Sequence, residues 1–180
     1  MPPKNGFVTC AYALASGFVA LSSLADPVAW VGDPARSGSG DWHDAAMWNP
    51  PRVPEDGDDA VFADVGVART VTLTNATSAL HSLTVGAKTT LVASNWTTKV
   101  SADNVTIGNG AVVTCAGPFS NNVMSNRVSI VCSNLTIKVG GAIDVSGKGY
   151  KGGDLNSQWI GSGTGGGGGG TTQRGGGGYG

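Results

Sequence analysis

Two histidines, twelve carboxylates and three cysteines are the groups with which this 180-residue chain could run acid–base, metal or nucleophilic chemistry. Their spacing supports none of the three. His43 lies in a tryptophan-rich stretch and His81 precedes an apolar run. Neither has a second His or a Cys at the short separation a metal site uses. No Ser stands in the Gly-x-Ser-x-Gly context of a nucleophile elbow, and neither Cys115 nor Cys132 has a recognisable partner His. The carboxylates gather at Glu55-Asp56-Gly57-Asp58-Asp59. That turn offers oxygen ligands for calcium but lacks the spacing of a twelve-residue calcium loop, so it reads as a solvated turn. Glycoside hydrolysis needs two carboxylates about 5–10 Å apart on a rigid cleft, whereas Asp144 stands singly in the third repeat and Asp103 just before the second. The run Gly165 to Gly170 is not a phosphate loop, since no Lys-Ser/Thr follows it. The chain therefore reads as having no catalytic residues, no metal site and no cofactor.

Two binding or covalent features remain. Trp30, Trp42 and Trp48 fall within one short stretch. Trp42 and Trp48 are candidate sugar-stacking residues, since an indole face takes a pyranose ring by apolar contact; the competing role is a cap or core. The implied partner is a polysaccharide or cell-surface glycan. Cys115 and Cys132 are a candidate disulfide, and the alternative is two free thiols packed as small hydrophobes.

The elements that would position these groups follow from a repeat. Leu83-Thr84-Val85, Val105-Thr106-Ile107 and Leu135-Thr136-Ile137 share one pattern, each followed by a corner and a second apolar alternation. The longer matches are LTVGAKTTLVA (83–93), VTIGNGAVVTC (105–115) and LTIKVGGAIDV (135–145). Self-similarity at 20–50 residues marks units that bury their apolar faces on one another. Changing spacing with a constant strand motif suits a β-solenoid, whose corners vary in length. Strands are expected at 61–62, 70–74, 80–85, 90–93, 97–100, 104–107, 111–115, 127–132, 134–137 and 142–145. Val, Ile and Thr dominate them, and Gly, Asn, Ser and Asp mark the turns. Alternation puts Leu83, Val85, Val105, Ile107, Leu135 and Ile137 inside, and Thr84, Thr106 and Thr136 outside. Ser82, Asn104 and Asn134 precede the three strands with short polar side chains.

Composition agrees with an exported β-protein. Charged residues are 13%, against about 25% in ordinary soluble domains. The net charge is −1, which gives no field to attract nucleic acid or anionic lipid. Lys4, the apolar run Phe7 to Ala20 and the small residues of Ser23-Leu24-Ala25 read as a cleaved secretory signal. The run is too short for a membrane span, which needs about 20 apolar residues. Once the signal is removed, no membrane span is expected. Four Asn-x-Thr sequons, at Asn75, Asn95, Asn104 and Asn134, read as by-products of Asn at a corner before a Thr-bearing strand. After Ser146 the chain becomes glycine-rich, with a second glycine run from Gly175 to Gly178. Such a segment reads as a flexible spacer. A few rungs followed by a spacer predict the front of a longer product.

The order Gly40-Asp41-Trp42, Met47-Trp48-Asn49, Val53-Pro54 and Gly57-Asp58-Asp59-Ala60-Val61-Phe62, followed by the Leu-Thr-Val and Leu-Thr-Ile strands, resembles the N-terminal region of large exported bacterial β-helix proteins. These are autotransporter-type passengers and related pectin-lyase-like surface proteins. The resemblance spans residues 30–180 and implies fold and address. No catalytic residue of the pectin-lyase-like enzymes matches a position here, and no transporter barrel is present in these residues.

The expected fold is thus all-β, a right-handed parallel β-helix. The expected segments are a signal peptide at 1–25, a Trp-rich cap at 26–62, rungs at 63–146 and a Gly-rich flexible segment at 147–180. The expected role is a non-catalytic structural or adhesive part of a cell-surface protein. The alternatives are a carbohydrate-binding module or a fragment of a polysaccharide-degrading β-helix enzyme.

Overall fold

A computed structural model describes residues 27–120, 123–153 and 161–163. The expected signal peptide, both glycine runs and Cys10 lie outside the described residues. Among the described residues eleven strands run in chain order: β1 Pro27–Trp30, β2 Gly40–Asp41, β3 Trp48–Asn49, β4 Asp59–Phe62, β5 Arg69–Leu73, β6 Ala79–Val85, β7 Thr89–Ala93, β8 Val100–Ile107, β9 Val112–Cys115, β10 Ile130–Ile137 and β11 Ala142–Ile143. Two single-turn 3₁₀ segments interrupt the first part, and no described helix is long and apolar enough to cross a membrane.

The strands form two sheets. One has the order β10-β8-β6-β4-β1-β3 and the other β11-β9-β7-β5-β2. From β4 onward the chain alternates between the sheets, and every neighbouring pair from there on is parallel. The repeated motifs lie in register. Ala60, Leu83, Val105 and Leu135 form one column, and Phe62, Val85, Ile107 and Ile137 another. In the second sheet Val71, Leu91, Val113 and Ile143 align, as do Leu73, Ala93 and Cys115. Residues of both sheets meet in a single apolar core. Each fully buried aliphatic side chain there stabilises the fold by about 1.5–3 kcal/mol. The corner after β6 also depends on close approach, because a Cβ on Gly86 would stand 2.0 Å from the Phe62 carbonyl oxygen.

Two pairs of expected strands are single strands. Residues 97–100 and 104–107 fall on β8, and 127–132 and 134–137 on β10, the outer parts of 97–100 and 127–132 being irregular. The reason is a slip in the alternation. On β8, Val100 and Ala102 point inward, Asp103 and Asn104 both point outward, and Val105 and Ile107 point inward again. On β6 the same slip puts His81 and Ser82 outward between buried Leu80 and Leu83. A strict period-2 reading breaks a strand where two consecutive residues face solvent, whereas backbone pairing bends through that point.

The two ends of the sheets differ. At the β1 end, β3 pairs antiparallel on β1, and Trp30, Trp42, Trp48 and Phe62 pack into one aromatic cluster. Trp30 and Trp48 meet edge to face at 4.9 Å, and Trp42 and Trp48 at 4.8 Å. Trp48 Nε1 donates to the Trp42 carbonyl and Trp30 Nε1 to that of Gly38, both at 2.7 Å. At the β10 end, Leu135 and Ile137 occupy the inward columns but remain 44% and 46% exposed. Beyond β11, Phe119 pairs with Tyr150, and Ser162 donates its backbone N–H to the Lys151 carbonyl at 2.8 Å.

Candidate functional site

The outward slip on three parallel strands builds a groove. His81 on β6, Asp103 on β8 and Ser133 on β10 share one register position, left unpaired between ladder pairs on either side. Neighbouring strands lie about 4.8 Å apart, so the three side chains form a column at that step. The groove measures about 780 Å³, and Gly57, Ser101 and Cys132 also line it.

Asp59 on β4, in register with Ser82, stands beside this row. Its Oδ1 lies 2.8 Å from His81 Nδ1 and also accepts from Ser82 Oγ. That contact engages Nδ1 of the imidazole; the His81 side chain is 53% exposed. Beside this row runs an amide column. Asn134 Nδ2 donates to Asn104 Oδ1 at 3.0 Å, and Asn104 Nδ2 to the His81 carbonyl at 3.5 Å. The next outward column is Thr84, Thr106 and Thr136. The surface thus offers carboxylate, imidazole, amide and hydroxyl groups in rows, and every one of them can exchange hydrogen bonds with a polyol.

The acidic turn anchors this site. Arg52 grips the Asp58 carboxylate with both terminal nitrogens, and the Glu55 backbone N–H donates to it at 2.7 Å. The Asp58 carbonyl accepts from His81 N at 2.9 Å, so the turn is fastened to the strand that carries the imidazole. Asp56 is used too, accepting from Ala79 N at 2.7 Å. The turn expected to be solvated is therefore tied down by internal partners. Among the described residues no cluster of three or more metal-ligating side chains occurs.

The Arg52 hydrogen bonds hold the Asp58 carboxyl below its ordinary value of 3.8, against an opposing effect of burial. A depressed folded-state value means that the pair stabilises the fold above the unfolded value and loses that contribution as pH falls below it. Hydrogen bonds to a charged group contribute about 1.5–3 kcal/mol, toward the lower end here because Arg52 is a third exposed. Urea midpoints at neutral pH and near pH 3 should therefore converge in Asp58→Asn relative to the parent. Equal acid losses in the two proteins would show that this pair does not drive the acid sensitivity.

The other sequence candidates fall elsewhere. Trp42 and Trp48 are 0% and 2% exposed. Neither presents a ring face, so the sugar-stacking role is corrected: both rings are spent on the core at the β1 end. Cys115 and Cys132 are free thiols on different sheets, Cys115 buried at the end of β9 and Cys132 half-buried on β10. They line different cavities, and burial pushes the Cys115 thiol up. His43 is held between Thr74 Oγ1 at 3.2 Å and the Ala76 carbonyl at 3.3 Å, apart from His81. Trp96, not singled out by sequence, is 44% exposed, with the Arg127 guanidinium 4.4 Å from its ring centre. The Asp59–His81 pair was also missed. Its signal was available: Ala60-Val61-Phe62 aligns with Leu83-Thr84-Val85 as one more copy of the repeat, which puts Asp59 beside Ser82.

No protein-family model, no curated protein and no solved structure matches the chain. The chemistry of the groove itself therefore carries the functional reading.

Proposed function

We propose that this chain is a right-handed parallel β-helix, exported through its N-terminal signal, that serves as a non-catalytic structural or adhesive segment of a cell-surface protein and holds a glycan along its outer polar rows. The coil is supported by the alternation of consecutive strands between two parallel sheets in constant register. Its hand follows from the strong preference of parallel β-crossovers for the right-handed path. The observation that carries the adhesive role is the His81–Asp103–Ser133 column beside Asp59 and the Asn and Thr rows. Such a surface recognises hydroxyl groups. Its two carboxylates, Asp59 and Asp103, favour a neutral polysaccharide over a polyuronate, because like charges meeting at a groove repel.

A second reading, a fragment of a polysaccharide-degrading enzyme, is favoured by one observation. An imidazole held by a carboxylate at Nδ1 is the arrangement that prepares Nε2 for proton transfer. One experiment separates the two. Neutral gluco-oligosaccharides and oligogalacturonate are titrated against the protein by calorimetry, and the same samples are assayed for new reducing ends. The expected result is saturable binding of a neutral oligomer, weakened about tenfold or more by His81→Ala or Asp103→Ala, with no new reducing ends. New ends that disappear in His81→Ala would establish the enzymatic reading. Preferred binding of the uronate would refute the charge argument.

A further inference from the structure

We infer that the β10 end of the molecule is an acceptor for one more parallel β-strand, with a short polar residue, an aliphatic residue, Thr and a second aliphatic residue in sequence. This rests on the β-helix reading above. Four observations converge on that ligand.

The first is the edge. β10 pairs with β8 on one side, and among the described residues no strand pairs with its other side. An eight-residue strand with unpaired N–H and C=O groups is a template for a further strand. The second is a cluster of apolar exposure at this end, where six of the eleven exposed large hydrophobic residues among those described stand. Val131, Leu135, Ile137, Val139, Ile143 and Val145 are 38–91% exposed. Their counterparts one and two strands back, such as Val105, Ile107 and Val113, are buried. The third is a cavity of about 650 Å³ opening there, lined by Cys115, Ile130, Leu135, Ile143 and Val145 together with Asn126. Asn126 is only 4% exposed, yet its Oδ1 has no hydrogen-bond partner. A buried acceptor left unpaired costs about 1–3 kcal/mol, so the site lacks a donor.

The fourth observation says what the occupant is. On β6, β8 and β10 four adjacent columns keep one chemistry each: Ser82, Asn104, Asn134; Leu83, Val105, Leu135; Thr84, Thr106, Thr136; Val85, Ile107, Ile137. Asn134 donates to Asn104, and a further Asn or Ser in that column would donate to Asn134 in turn. A register shifted by one residue would turn aliphatic side chains out and Thr in, so the acceptor discriminates by sequence pattern. The β1 edge is not open in the same way, because the antiparallel β3 covers it and Trp30, Trp42 and Trp48 beside it are buried.

The test uses the full chain and a dye-labelled synthetic peptide with the sequence of residues 130–145, Cys132 replaced by Ser. Fluorescence anisotropy should show saturable one-to-one binding, and hydrogen exchange should show β10 amides becoming more protected. A scrambled peptide should bind at least about tenfold more weakly. Leu135→Lys in the protein should weaken the intact peptide by a similar factor; Ile137→Lys serves the same purpose if the first variant does not fold. No binding, equal binding of the scrambled peptide, or binding without added β10 protection would each overturn the proposal. So would self-association of the free chain that the peptide does not displace, which would make the occupant a second copy. Exchange in the free protein separates this failure from failure of the β-helix reading. If β8 exchanges slowly, the in-register ladder stands and only the acceptor is lost. If β8 is as labile as β10, the ladder itself is wrong.

Discussion

Replacing Ile107 with Asp is expected to abolish the folded state. Ile107 is 0% exposed and stands between Val85 and Ile137 in an inward column. The substitution removes an aliphatic side chain from a close-packed site, which costs about 2–5 kcal/mol for truncations of this size. It also puts a carboxylate into the apolar core, and a buried charge without a partner costs several kcal/mol more or must be neutralised. A domain of this kind has only about 5–15 kcal/mol to lose. Circular dichroism and limited proteolysis would read the result. The same change at Ile137 supplies the control. That side chain sits in the same column but is 46% exposed, so Ile137→Asp should leave the fold in place. A protease-resistant Ile107→Asp protein would refute the inward assignment of the column.

The second large effect is expected at the closed end. Trp48→Ala removes a ring that is 2% exposed and contacts Trp30, Trp42 and Phe62 at centroid distances of 4.8 to 5.3 Å. It also removes the donor to the Trp42 carbonyl. Large aromatic truncations cost about 3–5 kcal/mol. For a chain of this size that corresponds to a fall in melting temperature of about 6 to 20 °C. The loss should be accompanied by aggregation, because loosening β3 uncovers the edge of β1. Trp96→Ala is the comparison: its ring is 44% exposed, and it should shift the melting temperature by only a few degrees. Equal shifts for the two variants would mean that the aromatic cluster does not hold that end together.

Much of this architecture was legible in the residues. Val, Ile and Thr alternation located the strands around Leu83, Val105 and Leu135, and the threefold motif anticipated that they pair in register. It also assigned Thr84, Thr106 and Thr136 to the outer face. The site was less legible. Asp59 and His81 are 22 residues apart, and they meet only because β4 pairs with β6. The double outward step at Asp103-Asn104 read as a gap between two strands, since an alternation rule cannot tell a bend from a break. The tryptophans read as a cap before the first strands, with Trp42 and Trp48 kept as candidate sugar platforms, because an indole has the same identity in both settings and only its neighbours differ.

The residues alone specify the properties that depend on nearest neighbours along the chain. These are strand propensity, the side of a strand on which a residue stands, and the turn residues that end it. They follow from the two-residue period of extended backbone and need no knowledge of partners. Only the tertiary structure decided which polar side chains share a groove, which tryptophans are buried, that the two cysteines stand on different sheets, and that Leu135 and Ile137 are left half uncovered. Each of those is a matter of which segments lie side by side. Burial and pairing are sums over neighbours distant in sequence, so matching motifs at Val105 and Leu135 have different fates: among the described residues one is covered by strands on both sides, the other on one side alone.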